Sequence, residues 1–553
     1  MGSPSLANLD GVVREIASQK EAWSCLPIAE KLRLLYEIRD RIDSFAAEWA
    51  SVCNQLRGIK KEMKYEEGTG YLTGPLVMGP INALIATYKS LAATGIPPEF
   101  PFRIHSTGKK EDDQKIVSVY PRSYLDRLAA LGLRGEVWLE KSSSGTQGAS
   151  LRDHGLCGIL GAGNFEGPID VLHKMFAENK VVVYKSNPVN EPSMHVVTKI
   201  LEPLIDRKYL ALVTGGSVEG SFLVNHPLVD EIMLTGSVNT YDSIVWGPPD
   251  IREKNNALNK RMTDKRVDAE LGGVNPVIVV PGNWSNSDID HHAEQIIAVK
   301  VFNSGHVCSS PSVIVVDAAW PQRSQFTQAI RKKWKETQPV PLYYPGIEER
   351  CARLKESLGG NVEHIGGGSA NEDRCFVADA EEGSPLFTNE SFGPFLTETA
   401  LKSCNNDPSL FLKTAVDWCN TNLWGTLSCT LLVHPSTKAI LGDELEDAIA
   451  NLRYGSIGVN IWGGCVIGYP LGWGAFPNSN EKDIQSGNGC KIINGYLFDK
   501  IEKSVMHSPF RSPLHWSRPS NQTSALYRAM ALFNIRPNLL RLLVVVRALG
   551  IGF

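Results

Sequence analysis

From residue 155 to 280 the chain alternates short apolar runs with amphipathic stretches, and no other feature restricts its fold as tightly. LCGIL (156–160) and VVVY (181–184) read as buried strands, with ALV (211–213), EIML (231–234) and PVIVV (276–280) as further ones. Residues 169–178 and 194–205 between them read as helices. Apolar strands separated by helical spacers predict a parallel sheet with helices on both faces, an α/β fold. A second α/β pattern begins near 291, where a helix over 291–302 leads toward Cys308 and VIVV (313–316) is the next strand.

At 553 residues the chain exceeds one ordinary domain, and two or three are expected. Residues 7–58 carry Leu32, Leu34, Leu35, Ile38, Ile42 and Phe45 at helical spacing, and 74–94 reads as a buried helix. From 96 to about 148 Pro, Gly and charge break the pattern, with KKEDD (109–113) as the expected exposed tip. That length favours a hairpin or arm over a structureless loop.

A net charge of −4 argues against a general nucleic-acid binder, because nothing drives counterion release over a wide face. The 11 cysteines contain no CxxC pair, so they suit neither a disulfide framework nor a zinc finger, and no metal is expected. Reduced thiols and an N-terminus without a signal-like apolar core predict a cytoplasmic protein. Leu6 stands where a myristoylation signal needs Ser or Thr. The tail from 512 to 553 has five arginines and no carboxylate side chain. It reads either as a basic amphipathic helix on a membrane surface or as a segment packed on its own or a partner subunit. The second is preferred, since exposed apolar runs usually have a protein partner.

The chemistry concentrates at FNSGHVCSSP (302–311) and AELGG (269–273). Taken alone, Cys308 reads as a small buried hydrophobe and Glu270 as a carboxylate at a strand end. Taken together, a thiol among small neighbours and a separate carboxylate are what covalent acyl chemistry followed by hydrolysis requires.

Several segments then fall into one order: GAGNFEGP (161–168), VYKSNP (183–188), VTGG (213–216), His226-Pro227, LTGS (234–237), ELGG (270–273), the Cys308 segment and NESFGP (389–394). In this order they resemble the aldehyde dehydrogenase superfamily, over about residues 150 to 400 with a weaker fit on either side. The resemblance implies a Rossmann-like cofactor domain over 1–273, with an arm around 100–150. It implies a catalytic domain over 274–465 carrying the nucleophilic Cys, and a return to the cofactor domain with an oligomerisation strand over 466–511. The basic extension 512–553 lies outside it. It also implies a homodimer or homotetramer, with the hairpin near 135–150 pairing with the segment near 490–500.

The resemblance assigns roles residue by residue. Cys308 is the nucleophile, Asn164 and the Cys308 backbone N–H donate to the oxyanion, and Glu270 activates water to cleave a thioester. Lys185 binds the adenosine ribose, Gly216, Gly236 and Ser237 lie along the cofactor, and Glu390 and Phe392 hold the nicotinamide ribose and flank its ring. The cofactor is NAD or NADP: Pro188 stands where many NAD-preferring members carry a Glu that repels a 2′-phosphate. Gly163 replaces the usual Trp before Asn164, and the turn after Gly236 lacks its usual second glycine. His306 reads as a bystander, with contact to the residues that surround the site as the alternative. Trp462, Trp473 and Phe476 are candidates to line an apolar tunnel for a medium or long aliphatic or aromatic aldehyde.

The activity implied is oxidation of a small-molecule aldehyde to its acid. The alternatives are an acyl reductase or coenzyme-A-acylating enzyme, and, in another class, a non-catalytic scaffold using the basic tail.

Overall fold

A computed structural model of the chain describes residues 6–106, 113–141, 147–148, 151, 153–165, 168–338, 340–366, 374–477, 479–489, 492–512 and 516–550. The N-terminal region is helical at Leu6–Ala17, Lys20–Ser24 and Ile28–Leu56, and the apolar stretch after it forms the helix Ile81–Thr94. Next come β1 (Phe102–His105), β2 (Gln114–Tyr120) and β3 (Arg134–Leu139). The arm is thus a small antiparallel meander, and its expected tip lies outside the described residues except for Asp113.

β4 (Gly155–Leu160), β5 (Lys180–Lys185), β6 (Leu210–Val213), β7 (Glu231–Gly236) and β8 (Arg266–Leu271) form a five-stranded parallel sheet in the order β6-β5-β4-β7-β8. Counted along the chain this is 3-2-1-4-5, the strand order of a Rossmann-type dinucleotide fold, with its switch point between β4 and β7. Ligands of such sheets sit outside the carboxyl ends of the strands at that point.

The remaining strands are β9 (Asn275–Val279), β10 (Pro311–Asp317), β11 (Glu363–His364), β12 (Cys375–Val377), β13 (Phe395–Leu401), β14 (Ser428–Leu432), β15 (Ser456–Val459) and β16 (Ile501–His507). Among the described residues they join the meander in an eleven-stranded sheet ordered β1-β2-β3-β16-β15-β14-β9-β10-β13-β12-β11. Val277, Val279, Ile314 and Val316 face one apolar layer, while Ile278, Val313 and Val315 face the other, as the period of two demands. The chain crosses from one sheet to the other between Leu271 and Asn275. β3 pairs with β16 inside the same chain, with Val137 opposite Ser504.

β8 is not one of the apolar runs singled out in the sequence, because RVDAEL carries a charge at every second position. Asp268, the central charge of the strand, is buried against Lys174. Its ammonium lies 2.9 Å from Glu178, 2.9 Å from Glu231 and 2.6 Å from Asp268, and Arg266 adds a second contact to Asp268 at 2.6 Å. The three carboxylates come within 4.8 Å of one another, but a lysine holds the centre of the group. A buried charge persists when it is paired in this way.

The basic tail forms two helices, Asn521–Ile535 and Leu539–Ala548, which pack on their own chain. Arg518 pairs with Glu294 at 2.7 Å, and Arg541 pairs with Asp43 at 2.6 Å. Ser524 and Asn534 fit two glycine notches: a Cβ on Gly68 would lie 2.6 Å from the Ser524 carbonyl, and one on Gly79 would lie 2.8 Å from Asn534 Nδ2. No helix of the described residues is long and apolar enough to cross a membrane.

Candidate active site

The helix Asn286–Val301 ends in the turn Phe302–Gly305, where Asn303 (φ 50°), Ser304 (φ 59°) and Gly305 (φ 76°) are all left-handed. Non-glycine residues hold that conformation only when their surroundings enforce it. Here Asn303 Nδ2 donates to the carbonyls of Asn164 (2.9 Å) and His306 (3.1 Å), and its Oδ1 accepts from Arg57 Nε (2.8 Å). Arg57, fully buried, also donates to the Asn164 carbonyl at 2.7 Å. The Asn164 side chain donates to the His306 carbonyl at 3.0 Å, which draws the turn after β4 against the Cys308 segment. Arg57 and Asn303 tie the site together, yet nothing in the sequence marks either one.

Cys308 follows this turn and is half-buried. Asn275 Nδ2 reaches the carbonyls of Gly273, Cys308 and Ser310 at 3.0, 2.9 and 3.1 Å, so one amide joins the loop after β8 to the cysteine loop. Burial raises the Cys308 thiol to about 12, the charges of Glu390 and Glu270 add to that, and the backbone N–H groups of Ser309 and Cys308 oppose it. Glu270 is buried on β8, near enough for its charge to act on the sulfur.

Glu390 shows why ELGG continues with glycine: a Cβ on Gly272 would stand 1.9 Å from Glu390 Oε1. That oxygen is buried and has no hydrogen-bond partner among the described residues. Burial lifts the Glu390 carboxyl to about 7 against the pull of Arg350 and Lys300. Burial also lowers the neighbouring Lys300 ammonium to about 7, with Glu390 opposing that shift. Two residues on, Phe392 has φ 48° and packs edge-on to Tyr344 with ring centroids 5.0 Å apart.

His306 is not a bystander. It is fully buried, its Nδ1 contacts the Phe392 carbonyl at 2.7 Å, and its own carbonyl accepts from Asn164. Burial depresses its pKa to about 4, so the ring is neutral and Nδ1 carries the donated proton. His306 therefore positions both Asn164 and Phe392. Its spacing from Cys308 suggested no dyad, and a role through main-chain carbonyls leaves no trace in side-chain spacing.

At the five-stranded sheet, Lys185 ends β5 and donates to the carbonyls of Ser186 (3.0 Å) and Gly215 (2.6 Å). Burial lowers its pKa, while Glu191 and Glu219 raise it. Glu191 accepts the Gly215 N–H at 2.8 Å and Glu219 accepts the Gly216 N–H at 2.7 Å. A Cβ on Gly216 would meet nothing within 4 Å, so this flank is open space. Gly236 ends β7, and Ser237 caps the helix Val238–Val245 by accepting the Thr240 N–H at 3.3 Å. The strand–turn–helix unit thus survives the loss of the second glycine. At Gly163 a Cβ would come 2.4 Å from the Tyr344 hydroxyl, so Tyr344 takes up space beside this position.

The match to the sequence model of the aldehyde dehydrogenase family runs over residues 155–341, from β4 to beyond the Cys308 loop. The matched region is about a third of the chain. Among curated aldehyde dehydrogenases the chain is 27% identical to a lactaldehyde dehydrogenase of Methanococcus maripaludis over 329 residues, 55% of this chain and 63% of that protein. It is 27% identical to human aldehyde dehydrogenase family 3 member B2 over 228 residues, 40% of this chain and 55% of that one. These matches span less than two thirds of either relative. The fold is that of solved aldehyde dehydrogenases. Aldehyde dehydrogenase C of Pseudomonas syringae, solved with NAD+ and octanal, superposes with TM-score 0.61 at 14% identity, covering 92% of this chain and 90% of that one. The glyceraldehyde-3-phosphate dehydrogenase GapN of Methanocaldococcus jannaschii, solved with NADP, gives 0.58 at 16% identity, covering 92% and 96%.

Proposed function

We propose that this chain is an aldehyde dehydrogenase, which oxidises an aldehyde to the carboxylic acid with a nicotinamide dinucleotide. The convergence of Cys308, Asn164 and Glu270 at the junction of the two sheets carries this reading. The cofactor's place fits the residues present: open space at Gly216, a helix start at Ser237, and the orphaned Glu390 Oε1, which is an acceptor suited to ribose hydroxyls. When bound, the nicotinamide accepts a hydride from the substrate carbon. Lys185 and Glu390 would hold the two riboses, and Phe392 would flank the ring.

The Cys308 sulfur adds to the aldehyde carbon as its proton departs. The Asn164 amide and the Cys308 N–H donate to the oxygen that becomes negative, each donor stabilising the transition state by about 3 kcal/mol. Loss of hydride leaves an acyl thioester on Cys308. Glu270 takes a proton from water, which attacks the acyl carbon, and the acid and thiol are released. The resemblance ties this carboxylate to hydrolysis rather than transfer to coenzyme A.

Of the two cofactors we favour NAD. Pro188 carries no charge, but Glu191 and Glu219 put negative charge beside Lys185, which would disfavour a 2′-phosphate bound there. We place the enzyme in the cytoplasm, as its cysteine usage suggests, as a homodimer or homotetramer, and read the sheet change near 273 as the domain boundary. The test is a product assay with an aldehyde panel. Free acid should form together with NADH without coenzyme A, and Cys308→Ala should abolish both. Strict dependence on coenzyme A, or unchanged turnover in Cys308→Ala, overturns the reading.

A further inference from the structure

A cavity of about 640 Å³ lies between the helix Ile81–Thr94, the segment Gly463–Gly468 and the two tail helices. This is within the roughly 300–1,000 Å³ usual for small-molecule sites, and its walls are mainly apolar. Phe165, Phe302 and Trp462 are among its lining residues. Phe165 directly follows Asn164 in the chain. Trp462 Nε1 donates to the Ser309 carbonyl at 2.9 Å, one residue from Cys308. Of the aromatics singled out in the sequence, only Trp462 lines this space. Trp473 is bridged to Ile492, and Phe476 packs beneath the Lys503 ammonium at 5.0 Å.

The outer wall belongs to the tail. Tyr527, Met530 and Phe533 of the helix Asn521–Ile535 face the cavity, as does Val545 of the last helix. Trp516 continues this wall inward, its ring 5.1 Å from both Phe302 and Trp462. The tail is keyed in place: Asn534 Nδ2 donates to the Gly468 carbonyl at 2.7 Å, and Asn82 Nδ2 donates to the Asn534 carbonyl at 2.8 Å.

We propose that the C-terminal helices roof an acyl-chain pocket that ends beside Cys308 and that takes the hydrocarbon chain of a long aliphatic aldehyde. This deepens the reading of Cys308 as the nucleophile and rests on it for the aldehyde end of the ligand. The charged residues lining the cavity, Arg122 and Asp126, both belong to the 121–130 segment.

The pocket is tested by binding, apart from turnover. Butanoate, octanoate and dodecanoate, acids of the product class, are titrated calorimetrically into full-length Cys308→Ala protein. Each methylene buried should tighten binding by about fourfold, so dodecanoate should exceed butanoate by at least a hundredfold. Met530→Trp, which fills the space, and Phe533→Glu, which charges it, should each reduce that gain to less than tenfold. Both variants are followed by thermal melting, so that a folded variant is read in either case. Equal binding of butanoate and dodecanoate, or an undiminished gain in a folded variant, overturns the pocket. Chain-length-dependent binding in a protein that oxidises no aldehyde supports the pocket and overturns the activity proposed above.

Discussion

The Cys308 thiol holds its proton well beyond neutrality, because burial comes first and the charges of Glu390 and Glu270 act in the same direction. Only the thiolate reacts, so alkylation of the cofactor-free protein by iodoacetamide should rise roughly tenfold per pH unit from neutrality into the alkaline range. Glu270→Gln removes an anion, lowers the thiol pKa and speeds alkylation at a fixed pH; a plateau below pH 8 in the parent protein would contradict this account. Glu191 offers a second prediction at this scale. Glu191→Gln removes a charge beside Lys185, and calorimetry should show NADP binding strengthened by about tenfold with NAD binding little changed. Equal discrimination in parent and variant would place the selectivity elsewhere. The sequence already points to Cys308, Glu270 and Asn164 because chemistry restricts their neighbours. It conceals Arg57, Asn303, Asn275 and His306, which act through main-chain carbonyls that any residue supplies.

β4, β5 and β7 are legible because each holds an apolar run buried on both faces, and the edge strand β6 because it is a short apolar run, half-buried at its centre. β8 is not such a run: its alternating charges predict a strand with one polar face, and its full burial is understood only once Lys174, distant in sequence, is seen between Glu178, Glu231 and Asp268. Lys174→Met should therefore lower stability by about 3–5 kcal/mol, because three buried carboxylates lose their shared cation. The check is urea unfolding: the midpoint falls with little change in slope, and a midpoint equal to the parent's would show that the carboxylates do not need the lysine. The same logic separates the tail helices. Helix Asn521–Ile535 buries Thr523, Ser524, Leu526, Ala529, Ala531 and Ile535, whereas Leu539–Ala548 buries only Leu542 and Val545. The last helix leaves Leu539, Leu540 and Val544 more than half exposed. Composition predicts a basic amphipathic segment here, but not that its first helix is keyed into glycine notches some 450 residues earlier.

On the scale of the whole molecule, the two sheets meet where the chain crosses between Leu271 and Asn275, and a dinucleotide spanning Lys185 and Glu390 would bridge both. Ligand binding to the folded state alone stabilises it by ~2.7 kcal/mol at a hundred times the dissociation constant. Saturating NAD+ should therefore raise the melting temperature, and Lys185→Ala should lose most of that shift; identical melting with and without NAD+ would remove the cofactor from the proposal. The crossing itself depends on Gly272, whose missing side chain makes room for Glu390 Oε1. This has a genetic consequence. An allele encoding alanine at position 272 would behave as a lesion in Glu390 while leaving the Glu390 codon untouched, and a search for inactivating alleles should recover that glycine as readily as the acid it accommodates.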